Sequence, residues 1–105
     1  MVRLIIPNGL TNMSKNLIVS GTITCTPQEL ATFSEVVSEH IKLTRAEPGC
    51  IEFDIRQDTP GSCTFLIAER FTDRAAFESH TARTRASDWW GKTQHIPRDI
   101  NITEE

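Results

Sequence analysis

Two ionisable side chains, Glu69 and His80, fall on faces of the sequence pattern that are otherwise apolar. Glu69 lies in an alternating stretch, residues 63–71, whose odd-numbered members share one face of a strand. His80 falls with Ala76 and Phe77 on one side of a helix, because residues three and four apart are neighbours there. An imidazole can take a proton from a phenol or enol near neutral pH, and a buried carboxylate can orient that imidazole or act itself. The pattern therefore predicts His80 and Glu69 as catalytic residues of an acid–base site.

Both residues also have a purely structural interpretation. His80 can cap the core and bond a neighbouring backbone group. Glu69 can pair with an arginine or accept a hydrogen bond from the backbone of loop 47–50, because an unpaired buried carboxylate is strongly unfavourable. His40 lies beside the apolar stripe of the first helix and is expected to be a solvated flank. The residue types alone leave both interpretations open.

Aromatic residues are candidates for the wall of a flat cavity that binds an aromatic ligand. The residues predicted to contact such a substrate are Phe53, Phe65, Phe77, Trp89 and Trp90. Core packing explains the three phenylalanines as well or better. The two tryptophans are adjacent on one helix and cannot both point at the core centre, so one is expected at a pocket mouth or a subunit contact. Arg83 is a candidate for holding an anionic substrate, with solvent exposure as the alternative.

Composition narrows the class of protein. The chain has 105 residues, of which 38% are hydrophobic, which suits one globular domain. A formal charge of -3 without a basic run argues against nucleic acid, and the apolar runs are too short to cross a bilayer. No signal peptide is expected, and three cysteines without CxxC spacing indicate free thiols in the cytoplasm. The histidines lack metal-ligand spacing and no Gly-rich phosphate loop occurs, so we expect neither a metal nor a nucleotide cofactor.

The elements that must position these residues alternate in a recognisable order. Strands are predicted over residues 17–25, 50–58, 63–71 and 99–103, and helices over residues 26–47 and 73–93, the second able to restart at Ser87-Asp88. The turn residues 58–62 make the second and third strands an antiparallel hairpin. The order βαββαβ is the ferredoxin-like plan of the α+β class, in which one antiparallel sheet carries two helices on one face.

The chain is expected to form a homodimer through the open face of this sheet. Ile18, Leu66 and Ala68 make that face partly apolar, so a second copy of the chain is the expected cover. Residues 1–16 are interpreted as an N-terminal extension, either loosely held or forming an extra edge strand. Residues 17–105 form the single domain.

Two motifs make residues 17–103 resemble the antibiotic biosynthesis monooxygenase (ABM) family. The first is Glu47-Pro48-Gly49-Cys50 followed by Phe53, and the second is the run 69–80, with the pattern E-x-aromatic-x-D-x-x-A-F-x-x-H. The resemblance implies a dimeric α+β barrel in which two sheets face each other and each subunit has a cavity between its sheet and helices. Characterised members include cofactor-free oxygenases of quinols and anthrone-like polyketides, haem-degrading enzymes and proteins that act on small signalling metabolites. The resemblance therefore implies the fold more narrowly than the reaction.

Two departures from the family's pattern bear on that reaction. Many members carry a second histidine a few residues beyond the position of His80, where this chain has Arg83-Thr84-Arg85. Haem-degrading members use an asparagine on the first strand, a tryptophan on the second helix and a histidine further on. The approximately matching positions here are Gly21, His80 and Trp90. The resemblance is thus to members that work without haem.

The resulting hypothesis is a small cofactor-independent monooxygenase that oxidises an electron-rich aromatic, quinol-like or anthrone-like, with dioxygen. His80, assisted by Glu69, would deprotonate the substrate, and the anion would reduce dioxygen directly inside an apolar cavity that excludes water. One alternative is a non-catalytic dimeric barrel that binds a small apolar ligand. Another is an isomerase or cyclase of polyketide-like intermediates that uses His80 without consuming oxygen.

Overall fold

A computed structural model describes residues 15–105 of the chain, so most of the predicted N-terminal extension lies outside the described residues. The elements are β1 (Leu17–Thr24), α1 (Leu30–Arg45), β2 (Cys50–Gln57), β3 (Thr64–Phe71), α2 (Arg74–Arg85), α3 (Asp88–Thr93) and β4 (Arg98–Glu104). This order confirms the predicted α+β, ferredoxin-like plan, with the second helix divided into two.

The four strands form one antiparallel sheet in the order β2-β3-β1-β4. β1 lies between β3 and β4, and Gly21 at its middle pairs with Ile67 on one side and Ile100 on the other. β2 and β4 are the two edges. The central position of β1 and β3 brings the alternating face that contains Glu69 under the helices.

The hydrophobic core fills the space between the sheet and the helices, as the alternation predicts. Its buried members are Val19, Ile23, Cys25, Phe33, Val37, Phe53, Ile55, Phe65, Ile67, Phe71, Trp89 and Ile96. Within residues 15–105, no helix combines the length and the apolar character needed to cross a membrane.

The first helix begins later than its capping pattern predicts. Glu29 Oε1 accepts a hydrogen bond from the backbone N–H of Thr26 at 2.9 Å, as expected in a capping box. However, the N–H of Glu29 bonds the carbonyl of Thr26, which is the i→i+3 pattern of a tight turn. Residues 27–29 therefore form a turn, and regular α-helix begins at Leu30.

Two side-chain caps explain the divided second helix. Asp73 accepts a hydrogen bond from the N–H of Ala76 at 2.8 Å and so begins α2. Ser87 Oγ donates to the carbonyl of Thr84 at 2.6 Å and accepts from the N–H of Trp90 at 3.4 Å. The same serine thus closes α2 and starts α3, as the restart at Ser87 predicts.

Gly21 is required by the close approach of β4. A Cβ atom built at this position would lie 1.9 Å from the carbonyl oxygen of Asp99, and the backbone has φ 155°. The missing side chain lets β4 pack against β1 and leaves the middle of the helix-facing surface without a side chain of its own.

Candidate active site

His80 is the one residue of α2 that is fully buried, with 6% of its surface exposed. Its ring lies 4.9 Å from the ring of Phe71, 5.5 Å from that of Phe53 and 6.4 Å from that of Phe77 (centroid to centroid). The i, i+3 spacing of Phe77 and His80 on α2 places both against the sheet. An aromatic shell therefore holds the imidazole away from bulk water.

A carboxylate that sequence reasoning did not single out, Glu47, holds His80 in position. His80 Nδ1 lies 2.9 Å from Glu47 Oε1, and the other oxygen of Glu47 accepts a hydrogen bond from Arg83 Nε. Arg83 Nη2 also donates to Thr44 Oγ1 at 3.0 Å. Arg83 is thus half-buried and bonded to Glu47 and Thr44. The sequence suggested either that it holds an anionic substrate or that it is exposed to solvent, and the structure shows neither.

The segment Glu47-Pro48-Gly49-Cys50 reaches His80 because a glycine allows it to dock on α2. Gly49 has φ 89°, and a Cβ atom there would lie 2.6 Å from the Cβ of Ala76. Its carbonyl accepts a hydrogen bond from the N–H of Thr72 at 2.9 Å. Docking against the start of α2 places the Glu47 carboxylate beside His80.

The contact with Glu47 selects the tautomer of His80. A carboxylate paired with Arg83 accepts hydrogen bonds, so the proton of the neutral imidazole is held on Nδ1. Nε2 then keeps its lone pair, and it lies 3.4 Å from Thr84 Oγ1 and 4.0 Å from Glu69 Oε1. Burial lowers the pKa of His80; Glu47 opposes this shift and Arg83 adds to it. The imidazole is therefore a neutral base at physiological pH.

Glu69 is a buried carboxyl group with its side chain 11% exposed. Burial, with a smaller effect of the nearby Glu47 carboxylate, raises the pKa of Glu69 to about 8. Among residues 15–105, no arginine forms an ion pair with Glu69. The interpretation of Glu69 as the acidic partner of an arginine is therefore not supported. At neutral pH Glu69 is mainly protonated and can donate a hydrogen bond or a proton.

His80 and Glu69 both line a cavity of about 150 Å³ between the sheet and the helices. Its wall consists of Val19, Ile23, His40, Ile55, Ile67, Glu69, Phe77, His80, Thr84, Trp89, Arg98 and Ile100. Gly21 pairs with Ile67 and Ile100, two residues of this wall. The wall is mainly apolar with a few convergent polar groups, which is typical of a small-molecule site.

The structure brings only some of the predicted aromatic residues to the cavity. Phe77 and Trp89 line it, whereas Phe53 and Phe65 are buried in the core and lie outside its wall. Trp90 is half-buried outside the wall, with the guanidinium carbon of Arg98 5.5 Å from the centroid of its ring. The two adjacent tryptophans thus differ in burial, as expected from their spacing.

Arg98 is the cation of the cavity wall, and sequence reasoning missed it. Its guanidinium donates to the carbonyl of Ile96 at 3.2 Å and also to that of Thr93, while burial lowers its pKa. The predicted last strand began one residue later, at Asp99. Had the strand been extended by one residue, alternation with Ile100 would have placed Arg98 on the helix-facing side.

The expectation that His40 is a solvated flank is wrong. His40 is 3% exposed and stacks on Trp89, with ring centroids 4.4 Å apart and planes 1° from parallel. Burial, with smaller effects of neighbouring charges that include His80, lowers the pKa of His40 to about 3. The signal was present in the sequence, since position 40 is three residues after Val37 and four before Thr44 on the buried stripe.

The His40–Trp89 stack also borders a second space. A groove of about 460 Å³ between α1 and α3 shares His40 and Trp89 with the inner cavity. The stack is therefore the wall between the cavity and this outer groove. Among residues 15–105, no group of three or more His, Cys, Asp or Glu side chains is arranged to hold a metal ion.

Fold and site together define a small α+β protein with a histidine–carboxylate pair in a cavity between its sheet and its helices. The family model for antibiotic biosynthesis monooxygenases matches residues 16–92, and the chain belongs to this family. The match spans β1 to α3 and so includes Glu47, Glu69 and His80.

Solved structures share this fold at low sequence identity. A Nitrosomonas europaea protein, whose name assigns it provisionally to the antibiotic biosynthesis monooxygenases, is 18% identical with a TM-score of 0.77, covering 89% of this chain and 92% of its own. A conserved Bacteroides thetaiotaomicron protein of unknown function is 15% identical with a TM-score of 0.78, covering 88% and 99%. A Pseudomonas aeruginosa protein is 24% identical with a TM-score of 0.71, covering 89% and 96%. These likenesses concern the fold alone.

One relative is similar at the level of sequence. An uncharacterised protein of Synechocystis is 31% identical over 64 residues, which is 61% of this chain. The matched region spans 44% of the length of that protein, so less than half of it has a counterpart here.

Proposed function

We propose that this protein is a cofactor-independent monooxygenase that oxidises an electron-rich hydroxylated aromatic with dioxygen. The observation that carries the proposal is the geometry of His80, whose buried ring is held through Nδ1 by Glu47, so that the proton acceptor is Nε2, 3.4 Å from the Thr84 hydroxyl that a substrate hydroxyl would replace. The cavity of about 150 Å³ favours a quinol of one ring over a three-ring anthrone, because an apolar cavity of about 150 Å³ accepts a benzene-sized guest.

The first step in this proposal is proton transfer from a substrate hydroxyl to His80 Nε2. The neutral imidazole is the acceptor, and Glu47 stabilises the imidazolium that forms. Arg98 contributes a positive charge to the same wall and can stabilise the phenolate. Arg98 thus takes the anion-holding role that the sequence suggested for Arg83.

In the second step the electron-rich anion reduces dioxygen, and the substrate itself supplies the electrons. For hydroquinone, one oxygen atom enters the ring and the other leaves as water, so hydroquinone and dioxygen give hydroxybenzoquinone and water. The departing oxygen needs protons, which the imidazolium of His80 and the protonated Glu69 can return. The apolar wall limits access of water to the reactive intermediates.

This function is tested by oxygen uptake of the metal-free protein with a panel of hydroquinones and anthrones. We expect uptake with at least one single-ring quinol, and we expect His80→Ala to lower kcat/KM by roughly 10²–10⁴-fold. His95→Ala is the matched control, because His95 is exposed and bonds Glu29 outside the cavity. Unchanged uptake in His80→Ala would overturn the role given to His80.

A second candidate function is proton transfer without oxygen, as in an isomerase or cyclase. It is favoured by one observation, a neutral imidazole and a protonated carboxyl group 4.0 Å apart on one wall. Such a pair can remove a proton from one carbon and return it to another. Measuring oxygen consumption together with product formation separates the two reactions, because only the monooxygenase consumes oxygen in proportion to product.

We further propose a homodimer through the open sheet face and a cytoplasmic location. The face opposite the helices carries Leu66 with 39% of its surface exposed, together with Ile18 and Ala68. The three free cysteines, Cys25, Cys50 and Cys63, suit a reducing compartment.

A further inference from the structure

His40 contains a buried polar atom that has no partner in the described part of the chain. Its Nδ1 is inaccessible to solvent and makes no hydrogen bond to residues 15–105. Leaving a buried donor or acceptor unpaired is destabilising, because the group has lost its hydrogen bonds to water. An orphaned polar atom in a side chain that is 3% exposed therefore needs an explanation beyond packing.

Packing alone would be served better by a residue without nitrogen. The ring of His40 stacks on Trp89 and meets the edge of Phe53 at a centroid distance of 5.2 Å. A phenylalanine at position 40 would make the same aromatic contacts without the unpaired atom. What distinguishes histidine here is its capacity to hydrogen-bond.

The position of His40 indicates what its nitrogen could bond. His40 lines the same cavity as His80, and the centroids of the two imidazole rings are 5.8 Å apart. Its neutral ring can donate from one nitrogen and accept at the other. The χ2 torsion of histidine is broad and roughly two-fold. A rotation of the ring by roughly 180° about χ2 therefore exchanges its Nδ1 side and its Cδ2 side, while the plane of the ring stays stacked on Trp89.

We infer that His40 is a ligand-binding residue that hydrogen-bonds a second hydroxyl of the aromatic substrate while His80 Nε2 meets the first. This inference rests on the proposed function for the role of His80, and it adds the residue that selects among phenols. In this inference a half-turn about χ2 brings the buried Nδ1 to the second hydroxyl of a bound diol, whereas with a ring that has only one hydroxyl Nδ1 stays unpaired. His40 therefore determines specificity through binding.

The test compares anaerobic binding of phenol with binding of catechol, resorcinol and hydroquinone by isothermal titration calorimetry. Without oxygen no turnover occurs, so the measurement reports binding alone. We expect at least one of the three diols to bind about tenfold more tightly than phenol, as one additional buried hydrogen bond predicts. Equal affinity for phenol and all three diols, or no binding of any of them, would overturn the inference.

His40→Phe is the decisive variant, with His95→Phe as the control. His40→Phe keeps the stack on Trp89, so we expect a folded protein that binds phenol as before and has lost the preference for the diol. His95→Phe alters an exposed residue outside the cavity and should keep that preference. A preference retained in His40→Phe would overturn the inference.

A measurement on the unaltered protein covers the case in which His40→Phe does not fold. The ¹⁵N resonances of the His40 ring should shift on addition of the preferred diol and much less on addition of phenol. Equal shifts with both ligands would count against His40. Absence of oxygen uptake together with a His40-dependent diol preference would refute the monooxygenase while leaving the binding role of His40 intact.

Discussion

His80 Nδ1 lies 2.9 Å from Glu47 Oε1, whereas Glu69 Oε1 approaches Nε2 of the same ring only to 4.0 Å. The carboxylate that orients the imidazole is therefore Glu47, and Glu69 is left as a separate buried acid on the cavity wall. The two carboxyl groups thus have different surroundings: Glu47 is paired with Arg83, whereas Glu69 is desolvated and its pKa is raised.

Glu47→Gln should impair catalysis by freeing the tautomer of His80. An amide can either donate to Nδ1 or accept from it, so the lone pair is no longer held on Nε2. We expect kcat/KM to fall by roughly 10²-fold or more. Because Glu47 raises the pKa of His80, the acid limb of the pH profile should also move to lower pH. Glu78→Gln, which alters an exposed partner of Arg74 on the same helix, is the control.

If Glu47→Gln leaves unchanged both the maximum value of kcat/KM and the acid limb of its pH profile, Glu47 has no part in orienting His80. If the maximum value of kcat/KM falls while the acid limb stays in place, the variant has lost structure instead. Thermal unfolding of the same variant would reveal this loss.

Glu69→Gln should change how stability depends on pH. Glu69 has an ordinary pKa of 4.5 in the unfolded chain and about 8 in the folded protein, so the folded state holds the extra proton between these values. The stability that this proton contributes is fully present below pH 4.5 and is lost as pH rises to about 8. Glutamine cannot ionise, so the variant should not lose this stability. Between pH 5 and pH 8, the free energy of unfolding of the native protein should therefore fall relative to that of the variant by roughly a few kcal/mol.

Urea unfolding at a series of pH values measures this effect as the free energy of unfolding. Glu39→Gln, at an exposed position of α1, should keep the pH dependence of the native protein. Parallel stability curves for Glu69→Gln and the native protein between pH 5 and pH 8 would contradict the raised pKa of Glu69.

Gly21→Ala should destabilise the sheet, because the new methyl group would meet the carbonyl oxygen of Asp99 at 1.9 Å. The backbone of β4 must move away, and we expect a loss of about 2 kcal/mol or more in the free energy of unfolding. Gly91→Ala is a matched control, since a Cβ atom at position 91 on α3 meets nothing within 4 Å. That substitution should be neutral or stabilise by up to about 1 kcal/mol. Equal effects of the two substitutions in thermal unfolding would argue against the close approach of β1 and β4.

The proposed dimer predicts a light-scattering mass of twice the 11.8 kDa of the chain at micromolar concentration. Leu66→Glu puts a charge on the open sheet face and should shift the mass towards that of the monomer. Leu43→Glu is the control, because Leu43 is similarly exposed but lies on α1. A monomeric mass for the native protein, or a dimer that tolerates Leu66→Glu, would contradict an interface at this face.

Much of the fold was predictable because its signals are local. Alternation assigned β1 and β3, the caps at Asp73 and Ser87 bounded α2 and α3, and the element order led to the sheet. The errors were also local. Turn geometry delayed the start of α1 to Leu30, and starting the predicted last strand at Asp99 left Arg98 out of it.

The chemistry of the site depended on contacts between residues far apart in the chain. His80 could be selected from its position on an apolar helix face, but its partner Glu47 is 33 residues away and is brought to it by the docking of Gly49 on α2. Likewise, the spacing within α1 places His40 on the buried stripe but does not specify its stacking partner, Trp89 of α3.

By itself, therefore, the sequence determined the element order, the helix-facing side of β1 and β3 and the position of Glu69 and His80 on otherwise apolar faces, because side-chain period and capping act over a few residues. Tertiary structure alone decided which carboxylate holds His80, which nitrogen faces the cavity and which aromatic residues line it. Hydrogen-bond partners and burial are set by the packing of elements distant in the chain, and pKa values and tautomers follow from them.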